Sequence, residues 1–274
     1  MPTSPEHDRA PGRADDAQVE AVFGGGAISP PLAPAPSIGA EWRRLAGFVK
    51  RPVLPMQTGA DRPLTIIARI YALDIAVMFA LTALAGLVMA LGIELPETAL
   101  ADVEFTPAIV LLVIVGAPVF EELAFRGWLS GRPGHVLAAA IVAVGLFVVF
   151  ATDLTSSDAD LNLVAIGLAI AIFVSTLASL IVLRGRAPMG WFARFFPVFF
   201  WLSTIGFALV HVANFGDAPL VMVLPLVLPQ FVLGAMLGYL RVTVGLWAAI
   251  LLHAAHNATA LVIATLAMEA GGAA

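Results

Sequence analysis

The sequence has no cysteine, and charged residues make up only 12% of its 274 residues. Without cysteine the chain can form no disulfide, no thiolate nucleophile and no thiolate metal ligand. A net charge of -5 argues against the basic surface that nucleic-acid binding needs, so no nucleic-acid partner is expected. Soluble domains carry roughly 25% charged residues. The shortage of charge and the 60% of hydrophobic residues therefore indicate a polytopic membrane protein.

Seven apolar runs are long enough to cross a membrane. A bilayer core of about 30 Å takes roughly 17 to 25 helical residues. The runs predict an all-α transmembrane helical bundle over residues 63–274, in contact with the lipid bilayer. The predicted spans lie near residues 70–93, 105–129, 135–151, 161–183, 195–213, 219–240 and 244–268.

Lysine and arginine are missing from one side of this predicted bundle. All fourteen fall on the other side, whereas the loops ELPETALADVE, TDLTSSDAD and NFGDA contain none. The side rich in Lys and Arg is normally cytoplasmic. The sequence therefore predicts a cytoplasmic N-terminus and an external C-terminus. The short loops and Ala-rich composition favour a bacterial inner membrane.

Residues 1–62 lack any run long enough to span and are rich in Pro, Gly, Ala and charge. This composition predicts a disordered cytoplasmic tail. Within it, EWRRLAGFVKRPVLP, near 41–55, combines aromatic and aliphatic side chains with Arg and Lys. Two interpretations stay open for this segment: an amphipathic stretch on an anionic membrane surface, or a basic stop before the first span.

The few polar residues inside the predicted spans form two pairs with a spacing of four, and a further polar residue, His211, follows Phe207 at the same spacing. Residues at i and i+4 lie on one face of a helix. A charge in lipid is costly unless it is paired or hydrated, so the three polar faces are expected to point at each other. The two pairs are Glu122 with Arg126 and His253 with Asn257.

These residue types suit hydrolysis by an activated water. Glu121 has no partner at helical spacing, and a buried carboxylate can act as a general base. One imidazole can help to orient the water, while a second imidazole and an amide can stabilise an oxyanion. The polar faces contain no Ser or Cys nucleophile.

Simpler explanations exist for each residue taken alone. Glu122 and Arg126 could be a salt bridge near the interface, with Arg126 reaching for water. His211 could form only a hydrogen bond between helices. Asp74 is interpreted as a hydrated or capping residue, and His256 as a histidine without a role.

Together the motifs EELAFR (121–126), FALVH (207–211) and HAAHN (253–257) resemble those of a known family. This is the CAAX prenyl protease and bacteriocin-immunity (CPBP) family of intramembrane proteases, which includes the eukaryotic type II CAAX endopeptidases. Its motifs are Glu-Glu-x-x-x-Arg, Phe-x-x-x-His and His-x-x-x-Asn or Asp, in that order on three membrane helices.

The resemblance implies a role for each motif residue. Glu121 and His211 would activate the water, and His253 and Asn257 would hold the oxyanion. It also implies a glutamate-type peptidase without a metal or other cofactor, with zinc as the second choice because Glu and His can ligate it. The expected substrate is a membrane protein or a lipidated or hydrophobic peptide. Supporting roles fall to Glu122, Arg126 and Phe207.

One departure from the family concerns spacing. The family places the second motif one helix after the first, whereas here two predicted spans, near 135–151 and 161–183, lie between them. An even number of extra spans keeps His211 on a helix of the same direction. Counting about 1.5 Å per residue nevertheless predicts different depths for Glu121 and His211.

Two other functional classes remain open at this point. A transporter or proton-coupled carrier could use the same Glu, His and Arg as a relay, and Pro225 and Pro229 allow the broken helix that carriers use. A binding or immunity protein could keep these residues without catalysis.

Overall fold

The computed structural model describes residues 32–55, 58–98, 103–152 and 159–272. Residues 1–31, half of the predicted tail, lie outside this range. In the described part all regular structure is helical apart from one isolated bridge between Leu32 and Ala60. The prediction of an all-α fold is confirmed.

Proline marks the start of several helices. Pro63, Pro107 and Pro133 each occupy the first helical position, where a missing N–H breaks no intrahelical bond. In chain order the helices are α1 (Ile38–Lys50), α2 (Pro63–Ala90), α3 (Pro107–Leu111), α4 (Ala117–Arg126), α5 (Pro133–Ala151), α6 (Ala159–Val182), α7 (Gly190–Arg194), α8 (Phe196–Val210), α9 (Leu220–Leu226), α10 (Leu228–Thr243) and α11 (Leu246–Gly272).

Three short segments of other helix types extend these elements. A π-helical turn, Leu112–Gly116, joins α3 to α4, and the 3₁₀ turn Gly127–Ser130 continues α4. A second 3₁₀ turn, His211–Phe215, continues α8. Two of the three candidate motifs therefore lie on composite helices.

The described residues contain five helical spans, or six if a bent pair of helices counts as one. The predicted number of seven is not confirmed. The predicted span near 135–151 corresponds to α5, whose apolar part, Pro133–Val149, is shorter than the others. At 1.5 Å per residue this part falls short of a core of about 30 Å.

The bent pair consists of α9 and α10, which meet at an angle of 44°. Pro225 precedes the break and Pro229 follows it. Each proline removes a backbone N–H that a continuous helix would use. The break predicted for this region is therefore present.

The core is built around α10. Its residues from Leu233 to Val242 are all buried, and the helix packs against α8, α11 and α2. Gly238 allows the closest approach, since a Cβ there would lie 2.7 Å from the ring of Phe200. The inserted helices α5 and α6 pack mainly against each other, so the insertion leaves this core undisturbed.

Helix α1 differs from the predicted disorder of residues 1–62. Ser37 caps it, and Glu41, fully buried, accepts a hydrogen bond from the Ala35 N–H at 2.8 Å. Glu41 also lies 3.7 Å from Arg69 of α2 and accepts a hydrogen bond from Tyr239 of α10 at 3.3 Å. A composition suited to disorder is outweighed here by one carboxylate with four partners, the fourth being Arg44 at 3.3 Å.

We expect Glu41→Ala to release α1 from the bundle. The substitution leaves the Ala35 N–H and the Tyr239 hydroxyl, both buried, without their acceptor, at a cost of about 1–3 kcal/mol per buried group. Limited proteolysis should then cut near residue 38 faster than in the unsubstituted protein. Arg43→Ala, an exposed position on the same helix, is the control and should change nothing. Equal cleavage of both variants would contradict this assignment.

Candidate active site

Glu121 meets two histidines from two other helices. Its Oε2 lies 3.9 Å from Nε2 of His253 on α11 and 4.0 Å from Nε2 of His211, which begins the 3₁₀ turn after α8. These distances exceed a direct hydrogen bond. Oε2 of Glu121 is also buried without a hydrogen-bond partner among the described residues. Three polar atoms therefore face a gap that one water could bridge.

The other nitrogen of each histidine is already engaged. Nδ1 of His211 lies 2.7 Å from the carbonyl of Phe207, four residues back on the same helix. Nδ1 of His253 lies 3.0 Å from Oε1 of Glu122. Because both partners are acceptors, Nδ1 carries the proton in each ring. With its proton on Nδ1, a neutral ring presents Nε2 as an acceptor towards Glu121, whereas a doubly protonated ring donates from Nε2.

Glu122 and Arg126 form a buried ion pair. The distance between Oε1 and Nη1 is 2.7 Å, and both side chains have zero exposure. Arg126 also donates to the Gly234 carbonyl at 3.4 Å, and its guanidinium carbon lies 4.0 Å from the centre of the Phe207 ring. The interpretation of an interfacial pair, in which the Arg126 side chain extends to water, is therefore wrong. The pair belongs to the interior, where Glu122 orients His253.

Phe207 lies between the charged and the imidazole groups. Its ring packs edge-on against His211 at 4.8 Å and His253 at 5.5 Å between centroids. The Arg126 guanidinium packs over the same ring, so Phe207 lies between that charge and the gap beside Glu121. The aromatic position of the second motif therefore has a specific place in the site.

Asn257 is held by the irregular helix opposite. Its Nδ2 donates to the Val113 carbonyl at 2.9 Å. In the π turn the Ala117 N–H donates to the carbonyl of Leu112, five residues earlier. The same pattern would require the N–H of residue 118 to donate to the Val113 carbonyl. That residue is Pro118, which has no N–H. The amide of Asn257 replaces the missing donor and keeps one N–H for another partner.

Asp74 is not the hydrated residue expected from the sequence, and His256 packs against it. Asp74 is only 2% exposed, and both its carboxylate oxygens lie 3.0 Å from Nδ1 of His256. Asp74 is therefore not hydrated, because the span that carries it packs against α11. The two residues are far apart in sequence, and no spacing rule connects them. The pair joins the first span to the helix of the third motif.

We expect His256→Ala to destabilise the protein, since it leaves the Asp74 carboxylate buried without its partner. The loss should be about 1–3 kcal/mol, the cost of a buried polar group left without its hydrogen-bond partner. Tyr71→Phe is a matched control, because Tyr71 and Thr259 bond the same two helices through hydroxyl groups. Thermal unfolding in detergent should separate the two variants. Similar melting temperatures for both would contradict a stabilising role for the contact between Asp74 and His256.

A cavity of about 500 Å³ adjoins these groups. Its walls are mostly apolar, and its polar lining includes two amides that the sequence did not single out, Asn214 and Gln230. Oε1 of Gln230 is buried and has no partner among the described residues. The candidate site residues that line the cavity are Glu121, Phe207, His211, His253 and Asn257.

Arg241 is another residue that the motifs did not reveal. It donates to the carbonyls of Arg126 and Gly127 at 2.8 and 3.1 Å, and so satisfies the C-terminal end of α4. A cation near a helix C-terminus is favourable. Its position just after a predicted span was the only sequence signal.

Within the described residues, no group of three or more His, Cys, Asp or Glu side chains is arranged to hold a metal ion. Independence of zinc stays a prediction. The geometry instead offers one carboxylate, two oriented imidazoles and one amide around a cavity, which is a set suited to activating water and stabilising an oxyanion.

Comparison with known proteins agrees with the three motifs. No curated protein and no solved structure gives a match to the chain. Residues 103–259, more than half of the chain, match the family described as Type II CAAX prenyl endopeptidase Rce1-like. That stretch contains all three motifs and lies in an integral membrane protein with several apolar spans. The chain therefore belongs to the Rce1-like type II CAAX prenyl endopeptidases, a family of peptidases.

Proposed function

We propose that this protein is an intramembrane endopeptidase that hydrolyses a peptide bond with water activated by Glu121 and His211. The observation that supports the proposal best is the position of Glu121. Its unpartnered Oε2 borders the cavity and faces Nε2 of both His211 and His253 at 4.0 and 3.9 Å. Buried polar atoms normally have a hydrogen-bond partner, and a water in the gap would supply one to this oxygen.

The proposed reaction needs no covalent enzyme intermediate. Glu121 takes a proton from the water, and the oxygen attacks the peptide carbonyl to form a tetrahedral oxyanion. Glu121 then returns the proton to the nitrogen of the leaving amine as the C–N bond breaks. The products are a carboxylic acid and an amine, and the carboxylate of Glu121 is restored.

Two groups are placed to hold the oxyanion. Asn257 has one amide N–H left after its bond to Val113. His253 can donate from Nε2 only when its ring carries two protons, because Nδ1 already donates to Glu122. Each such donor typically contributes about 3–4 kcal/mol to the transition state.

The proposed substrate is a membrane protein or a lipidated or hydrophobic peptide. Apolar walls surround a small set of polar groups in the cavity, which suits a peptide segment that leaves lipid for cleavage. We also place the protein in a bacterial inner membrane with a cytoplasmic N-terminus, from the distribution of Lys and Arg.

Substrates can be found by comparing protein termini in membranes from cells that carry either the unsubstituted protein or Glu121→Gln. New termini should appear only with the unsubstituted protein, and a peptide spanning such a site should be cut by the purified protein. Identical sets of termini in both membranes would argue against proteolysis and favour a binding or carrier role.

We expect zinc chelation to leave hydrolysis unchanged. The proposed base is a free carboxylate, and Asn257 stands where a metal site would prefer a stronger ligand. The rate of cleavage should be measured before and after phenanthroline treatment of the purified protein. A loss of activity that Zn²⁺ alone restores would contradict the glutamate-type mechanism.

A further inference from the structure

We propose that Gln230 binds the main chain of the substrate, with its Oε1 accepting a hydrogen bond from a peptide N–H near the cleaved bond. This role rests on the proposed function and adds a requirement for the substrate: a free main-chain N–H in the segment that enters the cavity. Three features support it: the place of Gln230 in the fold, its unpaired oxygen, and the tasks already assigned to the other polar groups of the cavity.

The packing of α8 against α10 sets the position of Gln230. A Cβ at Gly238 of α10 would lie 2.7 Å from the ring of Phe200 on α8. One turn earlier on α10, a Cβ at Gly234 would lie 3.2 Å from the ring of Phe207, later on α8. The two helices therefore run in opposite directions, and each turn back along α10 moves the contact forward along α8.

Gln230 comes one further turn before Gly234, on the same face of α10. The register of the two helices places it level with the end of α8, where His211 begins the following 3₁₀ turn. Both side chains line the cavity. Gln230 therefore lies at the level of the His211 ring, whose Nε2 is 4.0 Å from Glu121.

The side-chain oxygen of Gln230 is unused. Oε1 is buried and accepts no hydrogen bond in the part of the chain that the structure describes. A buried acceptor without a donor is unfavourable, and such groups are normally paired. A donor inside the cavity would satisfy this oxygen.

The chemistry of the proposed reaction indicates which donor this is. Among the described lining residues, the other buried and unpaired side-chain acceptor is Oε2 of Glu121, which binds the attacking water in that reaction. The remaining amide N–H of Asn257 is assigned to the oxyanion, which forms from the substrate carbonyl. The water and the carbonyl thus have partners, whereas the N–H groups on either side of the cleaved bond have none. Oε1 of Gln230 is an acceptor for one of them.

A peptide needs such an acceptor because the walls of the cavity are mostly apolar. Every residue except proline brings one main-chain N–H. In a helix these groups are bonded to the helix's own carbonyls, but in an extended segment they lose their water partners on entering the cavity. Gln230 therefore favours an extended segment and excludes proline at the residue that it contacts.

Gln230→Met tests this contact, because methionine has a similar length and only a weak acceptor. With a peptide that spans a cleavage site found in cells, KM should rise about 10-fold while kcat stays unchanged, as for a contact made equally in the bound substrate and the transition state. The melting temperature should not fall, since Oε1 has no partner to lose among the described residues. Leu228→Met is the matched control, because Leu228 is 45% exposed two residues earlier on the same helix, and it should change neither constant.

A set of ester analogues identifies the N–H. In each peptide of the set, one main-chain N–H near the cleaved bond, but not at it, is replaced by an ester oxygen. One ester should raise KM of the unsubstituted protein about 10-fold and cause no further rise in Gln230→Met, which is the non-additivity expected of two partners in one contact. Equal effects of every ester on both proteins, or a lower melting temperature of Gln230→Met, would overturn the proposal. So would an unchanged KM of Gln230→Met, which would leave only a water as the partner of Oε1.

Binding of the same peptides to Glu121→Gln separates this role from the proposed function. Dissociation constants in that background need no turnover, and they should show the same ester-specific loss when Gln230→Met is added. If Glu121→Gln cut the peptide as fast as the unsubstituted protein while the ester-specific loss persisted, the general base would be wrong and the Gln230 contact would stand. If Glu121→Gln abolished cleavage and no ester showed the loss, only the Gln230 contact would be wrong.

Discussion

Glu121→Gln should lower the rate of peptide hydrolysis by about 10² to 10⁴-fold, the range for loss of a general base. Glutamine keeps the shape of the side chain but cannot accept the proton of the attacking water. The measurement is kcat with a peptide that spans a cleavage site found in cells. Yield and melting temperature should stay unchanged, because Oε2 of Glu121 has no hydrogen-bond partner to lose among the described residues.

Glu104→Gln provides the control for this substitution. Glu104 is an exposed carboxylate next to Phe105 of the cavity lining, so the change alters charge by the same amount outside the site. Its kcat should match that of the unsubstituted protein. If Glu121→Gln kept full activity, water activation by this residue would be wrong.

Arg126→Ala should cause the largest loss of stability. It leaves Glu122 charged and buried, and it removes the donor to the Gly234 carbonyl and the cation over Phe207. Breaking a buried pair by removing one partner costs about 3–5 kcal/mol. The yield of folded protein and its melting temperature should both fall, together with activity.

The double variant Glu122→Gln with Arg126→Met separates charge from packing. With both charges gone, much of the stability should return, because replacing a whole buried pair is often nearly neutral. Activity should stay low, since His253 loses the carboxylate that orients it. A double variant no more stable than Arg126→Ala would show that the single loss came from the removed volume and not from an unpaired charge.

The convergence of the three motifs could be predicted from sequence because each motif is local. A spacing of four fixes which side chains share a helix face, and the cost of charge in lipid turns those faces towards each other. The contacts of Glu121 with His211 and His253 agree with that prediction. The intervening helices α5 and α6 do not prevent it, because they pack mainly against each other.

The contacts that could not be predicted from the sequence join residues that are not related by a helical spacing. Asp74 and His256 are 182 residues apart, and each alone fits several environments. The bond from Asn257 to Val113 depends on a π turn whose sequence signal, Pro118, also fits an ordinary helix start. The different depths predicted for Glu121 and His211 came from counting residues along helices assumed to be perpendicular to the membrane. Their 4.0 Å contact instead puts the two side chains at one depth.

Helix α1 was missed for a related reason. Composition describes the average preference of a segment, whereas one buried carboxylate, Glu41, decides whether this segment docks. Its partners Arg69 and Tyr239 lie on helices that local patterns cannot connect to it.

The packed layer of Glu122, Arg126 and Phe207 also bears on how the membrane voltage is distributed in the protein. If the cavity admits water as far as Glu121, most of that voltage falls across this layer and not across the full bilayer. Moving one elementary charge through 100 mV involves about 2.3 kcal/mol, and here that energy is concentrated over a shorter distance. A variant that loosens this layer would conduct ions as well as lose activity, so a cell expressing it would show a reduced membrane potential.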